Sequence, residues 1–372
     1  MASYSLSDLF GYVSLTGIVN ANVPDLPKPL PDGFYDAAVK KVEGNTGMYT
    51  RLVNNRTVSK LVNYGAEPLP RNMVPLGQFP ATCFSTAEQM TISPMDYLAL
   101  RGMNSYDLQN RGAEIIKFQV DNFRRYTDNL RNTIDVLALS RGKVHYNGDT
   151  GELLPTSSGA TVTADFQIPA AQVGATIATF TGVSEAWSSA STNIPLQITK
   201  LKMMAERAHG YVPEIVLYGK NVPSQLALND YLIEYAAREP QGFRPNWLKE
   251  GDLQPTYRYL SMLWYPAYNA FWKDSDGVDR EAIDDNAIIF LPKPSTQWWE
   301  RFEGVQLVPT NYNPQQGADL SGLNMEVKKV YGRGMFGRQN PNTLVPTITM
   351  VAFDNQTPVI KVPDAVYSLL SA

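Results

Sequence analysis

The spacing of three glycines is one that can form a phosphate-binding turn. Gly332, Gly334 and Gly337 form the pattern G-x-G-x-x-G within VYGRGMFGRQNP. In many enzymes this pattern is a turn that follows a strand, begins a helix and holds a phosphate at the helix N-terminus. Here Pro341 and Pro346 stand where that helix would run. The glycines are therefore predicted to permit a turn or close packing of chains, and no nucleotide or other cofactor is expected.

Other residues that could catalyse a reaction or bind a metal are few. His145 and His209 are the only histidines, and neither lies at metal-ligand spacing from a second ligand. The sequence has no G-x-S-x-G nucleophile motif and no Walker lysine motif. In the acidic stretch KDSDGVDREAIDD the glycine is fourth from Asp274, whereas an EF-hand needs it at position six. We therefore predict a solvated acidic loop and assign no catalytic residue and no metal ligand.

Composition excludes several classes of protein. The chain has 372 residues and a net charge of −4, with its 32 lysines and arginines scattered, which argues against tight nucleic-acid binding. Cys83 is the single cysteine, and no apolar run approaches the roughly 20 residues of a membrane helix. The start MASYSLSDLF has no signal-peptide features. We expect a protein of the reducing cytosol with two domains, or with one domain and large extensions.

The clearest structural signal is a long amphipathic helix. Between Gly112 and Gly142 the apolar residues recur at steps of three and four, no proline intervenes, and Gly142 fits a C-terminal cap. We expect a helix over about residues 113–141, roughly 40 Å long. Its predicted apolar face comprises Ile116, Val120, Phe123, Tyr126, Leu130, Ile134 and Leu137.

Two segments before this helix are expected to bury little apolar surface within their own residues. The prolines of PDLPKPLPDGF favour an extended arm over residues 1–50. Residues 51–86 contain two strand-like runs around a polar, proline-containing connection, which predicts a projecting two-stranded loop. Because an isolated hairpin is marginally stable in water, we expect this loop to rest on a neighbouring molecule.

The loop and the long helix differ in charge. The loop has four basic residues and only one acidic residue, Glu67, whereas the helix carries three aspartates, including Asp135. Opposite charges across a subunit boundary set the register of the contact. The candidate subunit-contact residues are Arg51, Arg56, Lys60, Arg71, Asp121 and Asp128.

The second half of the chain predicts a compact α/β unit. STNIPLQITKLKMMAERAHG is expected to be a helix that Pro195 opens and Gly210 closes, EIVLYG a short buried strand, and NVPSQLALNDYLIEYAAR one further helix. TITMVAF and TPVIKVP are predicted to be paired strands, and DAVYSLL a last helical turn or strand.

In this order the pieces resemble the major capsid proteins of tailed bacteriophages, which share the Hong Kong 97-type fold. The resemblance is carried by AEIIKFQVDNFRRYTDNLRNTIDVLALSRG with KVHYNGDTGELLP after it, by NIPLQITKLKMMAERAHGYVPEIVLYG and by the ending TPVIKVPDAVYSLL. It covers nearly the whole chain. The sequence is similar to the lambda-like branch in having no long helical scaffold region at its start, which implies a separate scaffold protein.

The resemblance implies an α+β chain with four parts. These are an N-terminal arm (1–50), an extended loop (51–86), a peripheral domain with the spine helix (87–189 and 301–344), and an axial domain (190–300 and 345–372). It further implies a structural protein that is not an enzyme and that self-assembles into an icosahedral capsid around phage double-stranded DNA.

The implied partners are copies of the same chain in hexamers and pentamers, a portal, and the separate scaffold protein. A decoration protein is a further partner that the resemblance allows. Contact with the packaged DNA is expected to be weak and non-specific, since each neutralised phosphate adds salt-sensitive affinity. No membrane is involved, and the implied location is the virion capsid, assembled in the host bacterial cytoplasm.

Two other classes of protein stay open on the sequence alone. A non-viral, encapsulin-like compartment shell shares the fold and would carry a cargo site in place of portal and scaffold partners. An α/β enzyme would need a convergent polar pocket, for which the sequence gives no candidate residues.

Overall fold

The computed structural model describes residues 28–35, 39–51, 77–92, 106–183, 185–238, 257–309, 327–340 and 347–372. Within these ranges the helices are α1 (Asp32–Tyr35), α2 (Tyr106–Arg141), α3 (Ile177–Thr181), α4 (Ile194–Ala208), α5 (Val222–Ala227) and α6 (Asp230–Arg238). Short 3₁₀ turns lie at Ala170–Gln172 and Pro363–Ala365.

The strands of the described ranges follow in chain order. They are β1 (Val39–Val42), β2 (Thr46–Thr50), β3 (Gln78–Thr82), β4 (Phe84–Ile92), β5 (Lys143–Tyr146), β6 (Leu153–Leu154), β7 (Val162–Asp165), β8 (Val173–Thr176), β9 (Ile215–Tyr218), β10 (Tyr257–Tyr259), β11 (Met262–Pro266), β12 (Phe271–Lys273), β13 (Asp279–Glu281), β14 (Ala287–Leu291), β15 (Trp299–Pro309), β16 (Val327–Tyr331), β17 (Gly334–Asn340), β18 (Thr347–Ile360) and β19 (Tyr367–Leu370).

The predicted long helix is confirmed as α2, which has 36 residues and begins at Tyr106, before the expected start at residue 113. Gly112 lies inside it, and a helix of this length absorbs the roughly 1 kcal/mol that one interior glycine costs. The C-terminal end agrees with the sequence, because Gly142 has the left-handed φ of +66° that stops a helix.

The first sheet is organised by one long strand, β18. Its first half pairs with β17 on one side and with β4 on the other, and its last residues pair with β15. Strand β15 also pairs with β16 and, in parallel, with β1. The prediction that TITMVAF and TPVIKVP form two paired strands is wrong, because both belong to β18.

The second sheet has the order β10-β11-β9-β14-β19-β8. All four residues of β9 are buried, and they alternate between two cores: Ile215 and Leu217 belong to the larger core, whereas Val216 and Tyr218 belong to the second core. This alternation is what a strand covered on both faces requires. The C-terminal half of α2 covers one face of the sheet, and α4 covers the other.

One helix prediction for the second half of the chain is confirmed and one is wrong. Helix α4 agrees with its prediction, since Asn193 caps it by accepting from the Leu196 N–H at 3.0 Å and Gly210 has a φ of +81° after it. The single helix predicted from NVPSQLALNDYLIEYAAR is instead two helices, α5 and α6. They are separated at Leu228 and Asn229, and the Asn229 side chain accepts from the Leu232 N–H.

The chain passes from the first sheet to the second after β18. Residues 347–360 lie in the first sheet with 301–309, and residues 367–370 lie in the second sheet with 173–176. The expected domain boundaries at residues 190 and 345 stay a prediction.

Candidate assembly surface

A two-stranded hairpin overlaps the predicted loop only in part, because its first strand lies within residues 1–50, which were expected to form the extended arm. Strands β2 and β3 are antiparallel, and Thr50 is opposite Gln78. The Arg51 N–H donates to the Gly77 carbonyl at 3.2 Å, so the ladder still continues at the last described residues. Residues 52–76, which include Arg56, Lys60 and Arg71 and most of the predicted loop, lie outside the described part of the chain.

The base of this hairpin packs against the first sheet. Gly47 lies over the ring of Phe302, where an added Cβ would be 2.5 Å from the ring atom Cδ2, so this approach requires glycine. Phe302, Val359 and Cys83 form a small buried cluster there. Burial raises the pKa of the Cys83 thiol to about 11, which makes this cysteine a packing residue and a poor nucleophile.

Arg51 is fixed within its own chain. Its Nη2 atom donates to both carboxylate oxygens of Asp364, at 3.2 and 3.1 Å. Asp364 lies in the turn that leads into β19, so this pair connects the hairpin base to the second sheet. A contact of Arg51 with Asp121 or Asp128 of a neighbouring copy stays a prediction.

The predicted apolar face of α2 divides along the helix. Val120, Phe123, Ile134 and Leu137 are buried, and Leu130 is partly buried against the larger core. The side chain of Ile116 lies outside the described part. The inclusion of Tyr126 in this face is wrong: its side chain is 63% exposed, because it lies on the solvent side of the helix.

A cluster of charged residues joins α2 to the first sheet. Arg131 donates to Asp354 of β18 through Nε at 2.6 Å and through Nη2 at 2.5 Å. Arg333, in the turn between β16 and β17, donates to Asp128 at 2.5 Å and lies 4.0 Å from Asp354. Arg124 lies 3.5 Å from Asp128. Asp128 is therefore bound within the chain.

The electrostatics of this cluster favour a charged Asp354. Burial alone would raise the pKa of this carboxyl, but the guanidinium of Arg131, followed by Arg333 and Arg301, outweighs burial and holds the pKa below its usual range. For Arg333 the balance is reversed, since burial and then the nearby Arg131 lower the pKa of its guanidinium.

Asp135 lies deeper than the sequence suggested. The sequence groups it with the other aspartates of the helix, but its side chain is buried and accepts a short hydrogen bond from Arg301 of β15. Burial raises the pKa of Asp135 more than the Arg301 and Arg131 charges lower it. Asp121 stays half-buried and forms no ion pair with any described residue.

Sequence analysis did not single out Asp354, Arg131, Arg333 or Arg301 as a cluster. A signal was present for two of them, because Asp354 directly follows the apolar run TMVAF and Arg301 lies between Glu300 and Phe302, shortly after two tryptophans. A charge within an apolar strand usually has a buried partner of opposite sign. The identity of that partner could not be seen in the sequence.

The G-x-G-x-x-G segment forms a strand connection. Gly332 lies in the turn after β16 with a φ of +69°, and Gly334 begins β17. A Cβ on Gly334 would be 2.4 Å from the Phe353 ring, and one on Gly332 would be 2.7 Å from the Glu303 carboxyl carbon. The predicted roles of these glycines, a turn and close packing, are confirmed.

The acidic stretch and the histidines also have local roles. Asp274 accepts from the N–H groups of Val278 and Asp276 in the turn between β12 and β13, and these bonds, with Arg280, lower its pKa. His209 is buried against the Tyr367 hydroxyl at 2.8 Å, and His145 contacts Thr163. Among the described residues there is no metal-ligand cluster, and no helix there is long and apolar enough to cross a membrane.

Comparison with known proteins gives a match in structure and none in sequence. No protein-family model and no curated protein sequence matches the chain. The chain is similar to the structure of a protein assigned as the capsid protein of an Escherichia coli CFT073 prophage. The two are 12% identical, the TM-score is 0.57, and the alignment covers 97% of this chain and 99% of that one.

A second similar structure is a phage-related protein of Bordetella bronchiseptica RB50, at 12% identity, a TM-score of 0.51 and coverage of 97% of both chains. The encapsulin of Synechococcus elongatus PCC 7942 is 10% identical with a TM-score of 0.43, covering 97% of this chain and 95% of that one. The similarity to the prophage protein extends over essentially the whole of both chains. The chain therefore has the fold of phage major capsid proteins, the Hong Kong 97-type fold that the sequence predicted.

Proposed function

We propose that this protein is the major capsid protein of a tailed bacteriophage or prophage. The observation that carries the proposal is the end-to-end structural match with the prophage protein, with coverage of 97% and 99% of the two chains. Nearly every part of this chain thus has a counterpart in that protein. The self-assembly of many copies into hexamers, pentamers and an icosahedral shell follows from this proposal.

The described residues support a structural function in a second way. Charged side chains that lie close together in this chain are mostly used to connect its elements: Arg51 to Asp364, Arg131 to Asp354, and Arg333 to Asp128. An open groove of about 540 Å³ in the described part is bordered by ion pairs such as Lys220 with Glu281 and Asp285. A groove lined by paired surface charges differs from the mostly apolar pockets that bind small molecules.

The finer assignments belong to the same proposal. In it, the part around α2 and the first sheet is the peripheral domain, and the part around α4 and the second sheet is the axial domain. The hairpin β2–β3 with residues 52–76 and the arm before residue 28 contact neighbouring copies. A portal, a separate scaffold protein and packaged double-stranded DNA are the further partners, and assembly takes place in the bacterial cytoplasm.

Electron microscopy of the purified protein tests the proposal. We expect closed shells or capsomers when the protein is produced alone or with a scaffold protein from the same genome. A protein that stays monomeric under every such condition would contradict the assembly function. Shells that enclose a protein cargo, and that never carry DNA or a tail vertex in the native host, would favour the compartment alternative.

The enzyme alternative has its own test. If the glycine segment bound a nucleotide, millimolar NAD or ATP would stabilise the folded protein by RT ln(1 + [L]/Kd). We expect no change in melting temperature with either ligand. A reproducible rise that disappears in Gly334→Ala would support nucleotide binding and argue against a purely structural protein.

A further inference from the structure

Helix α4 carries a mixed apolar and basic line on its exposed side. Leu196, Lys200, Met203 and Arg207 follow one another at steps of four, three and four, so they lie along one line of the helix. Leu196 is 43% exposed and Met203 is 47% exposed. In the part of the chain that the structure describes, neither Lys200 nor Arg207 forms an ion pair. This line is called the basic line below.

Helix α6 carries the opposite combination. Asp230 and Glu234 are exposed on its first turns, and Tyr231 and Ile233 between them are 44% and 45% exposed. Leu228, just before the helix, is 70% exposed. These residues form an acidic and apolar surface, called the acidic face below.

The two helices hold these surfaces in a fixed relation. The Asn229 side chain donates to the carbonyls of Ala190 and Thr192, at 3.1 and 2.8 Å, immediately before α4 begins. Leu232 of α6 and Ile198 of α4 are buried in the same core. Because both helices are anchored in the same core, the basic line and the acidic face keep a fixed position relative to each other.

We propose that the basic line of one copy docks against the acidic face of a second copy of this chain. The contact pairs Lys200 and Arg207 with Asp230 and Glu234 and covers Leu196, Met203, Tyr231 and Ile233. Charge complementarity identifies the occupant, because each copy presents both halves of the contact. Exposed methionine adapts readily to an opposing surface, and apolar side chains grouped on one face are characteristic of an interface.

Such a contact is heterologous, so each copy uses its basic line towards one neighbour and its acidic face towards the other. A head-to-tail contact closes into a ring when the rotation between copies allows it. The inference rests on the proposed shell function and specifies one surface through which the copies of a capsomer contact each other.

Charge reversal followed by mixing provides the test. Variant A carries Lys200→Glu and Arg207→Glu, so both of its surfaces are acidic. Variant B carries Asp230→Lys and Glu234→Lys, so both are basic. We expect each variant alone to need about tenfold more protein than the wild type to form capsomers in native mass spectrometry. An equimolar mixture should recover hexameric capsomers with A and B alternating, because every contact in a ring of six is then between opposite charges.

Circular dichroism must show that both variants are folded like the wild type. Folded variants that each assemble as well as the wild type would overturn the inference, and so would a mixture that assembles no better than A or B alone. In both cases the wild type still forms shells, so the proposed function stands. A wild type that never assembles would contradict the proposed function itself.

A single apolar substitution with a matched control adds a second readout. Met203→Glu places a charge inside the proposed contact, whereas Val278→Glu places one in the turn between β12 and β13 at the same exposure of 47%. We expect Met203→Glu to weaken capsomer formation by about tenfold or more and Val278→Glu to leave it unchanged. Equal effects of the two substitutions would argue against the contact.

Discussion

Asp354 shows how one buried charge organises its surroundings. It lies in the middle of β18 and accepts two hydrogen bonds from Arg131 of α2, while Arg333 approaches from the turn before β17. Removing one member of a buried ion pair costs far more than the pair contributes, because the remaining charge is left without compensation. The position of α2 on the first sheet therefore depends on this carboxylate.

Asp354→Asn is expected to reduce the free energy of unfolding by about 3 kcal/mol or more, as for a broken buried pair. The pKa of Asp354 is lowered in the folded state, so its stabilising contribution is complete above the unfolded pKa of about 4 and is lost as pH falls below that value. Denaturant unfolding of wild type and variant from pH 7 to pH 2.5 measures both effects. The difference between the two proteins should shrink in acid.

An exposed aspartate serves as the control for this substitution. Asp279 is paired with Lys273 at 3.8 Å and its side chain is 63% exposed. Asp279→Asn should leave the unfolding midpoint nearly unchanged, because exposed pairs contribute little. A difference between wild type and Asp354→Asn that stays constant down to pH 2.5 would contradict the charged state assigned to Asp354.

Gly332 is the position where backbone and packing both demand glycine. Gly332→Ala places a Cβ on a residue with φ of +69° and 2.7 Å from the Glu303 side chain. Gly277 has a similar φ of +76° in an exposed turn, and a Cβ there would meet no atom within 4 Å. We expect Gly277→Ala to cost about 1 kcal/mol for the left-handed backbone and Gly332→Ala to cost more. Equal losses in thermal unfolding would show that the contact with Glu303 has no effect.

At the scale of elements, α2 contacts different surroundings along its length. Towards its C-terminal end, residues 134–140 are all buried, because the second sheet, Trp298 and Trp299 surround it there. Nearer the middle it contacts the first sheet through Arg131 and Asp128 and leaves Tyr126 in solvent. The amphipathic pattern predicted from the sequence therefore applies to the middle of α2, which is covered on one side, and not to residues 134–140, which are buried all round.

Because burial increases towards the C-terminal end of α2, the same substitution should reduce the free energy of unfolding by different amounts along the helix. Leu137 is 1% exposed and Leu130 is only partly buried, so an unpaired carboxylate is desolvated more at residue 137. Leu137→Asp should prevent the subunit from folding to a soluble product, Leu130→Asp should destabilise it by several kcal/mol, and Tyr126→Asp should be tolerated. Soluble yield and urea unfolding measure this order. Wild-type behaviour of Leu137→Asp would contradict the placement of the helix.

At the scale of the whole molecule, the described residues form a subunit whose extensions begin from fixed positions. The hairpin base is held by Arg51 bound to Asp364 and by Gly47 packed on Phe302, while α1 is held through Phe34 between Trp298 and Trp299. Phe34, Phe302 and the two tryptophans of these attachments are fully buried, and the Arg51–Asp364 pair is partly buried. The subunit should therefore fold without the segments that extend from them.

Shortening the hairpin tests this separation of folding from assembly. The ladder continues to the Arg51 and Gly77 pair, so replacing residues 53–75 by a short Gly-Ser turn keeps every described hydrogen bond of the hairpin base. We expect near-native circular dichroism and loss of closed shells in electron microscopy. A shortened protein that still forms normal shells, or that fails to fold, would contradict the assembly function proposed for the loop.

Charge reversal at Arg56 and Lys60 should shift the salt optimum of assembly, since exposed charges are screened by salt.

Local features of this fold could be predicted from the sequence because their causes lie within a few residues. The end of α2 at Gly142, the cap of α4 at Asn193 and the exclusion of a nucleotide turn by Pro341 and Pro346 all depend on neighbouring positions. The order of such elements along the chain was enough to predict the Hong Kong 97-type fold, which the structure confirms.

The tertiary structure decided which distant residues meet. Asp135 has the helical spacing of a surface residue, yet it is buried because Arg301, 166 positions away, lies beside it. Arg131 and Asp354 are 223 positions apart, and β18 is one strand because three partners extend along it. Charge pairing and strand length depend on which surfaces are brought together, and periodicity along the chain carries no information about that.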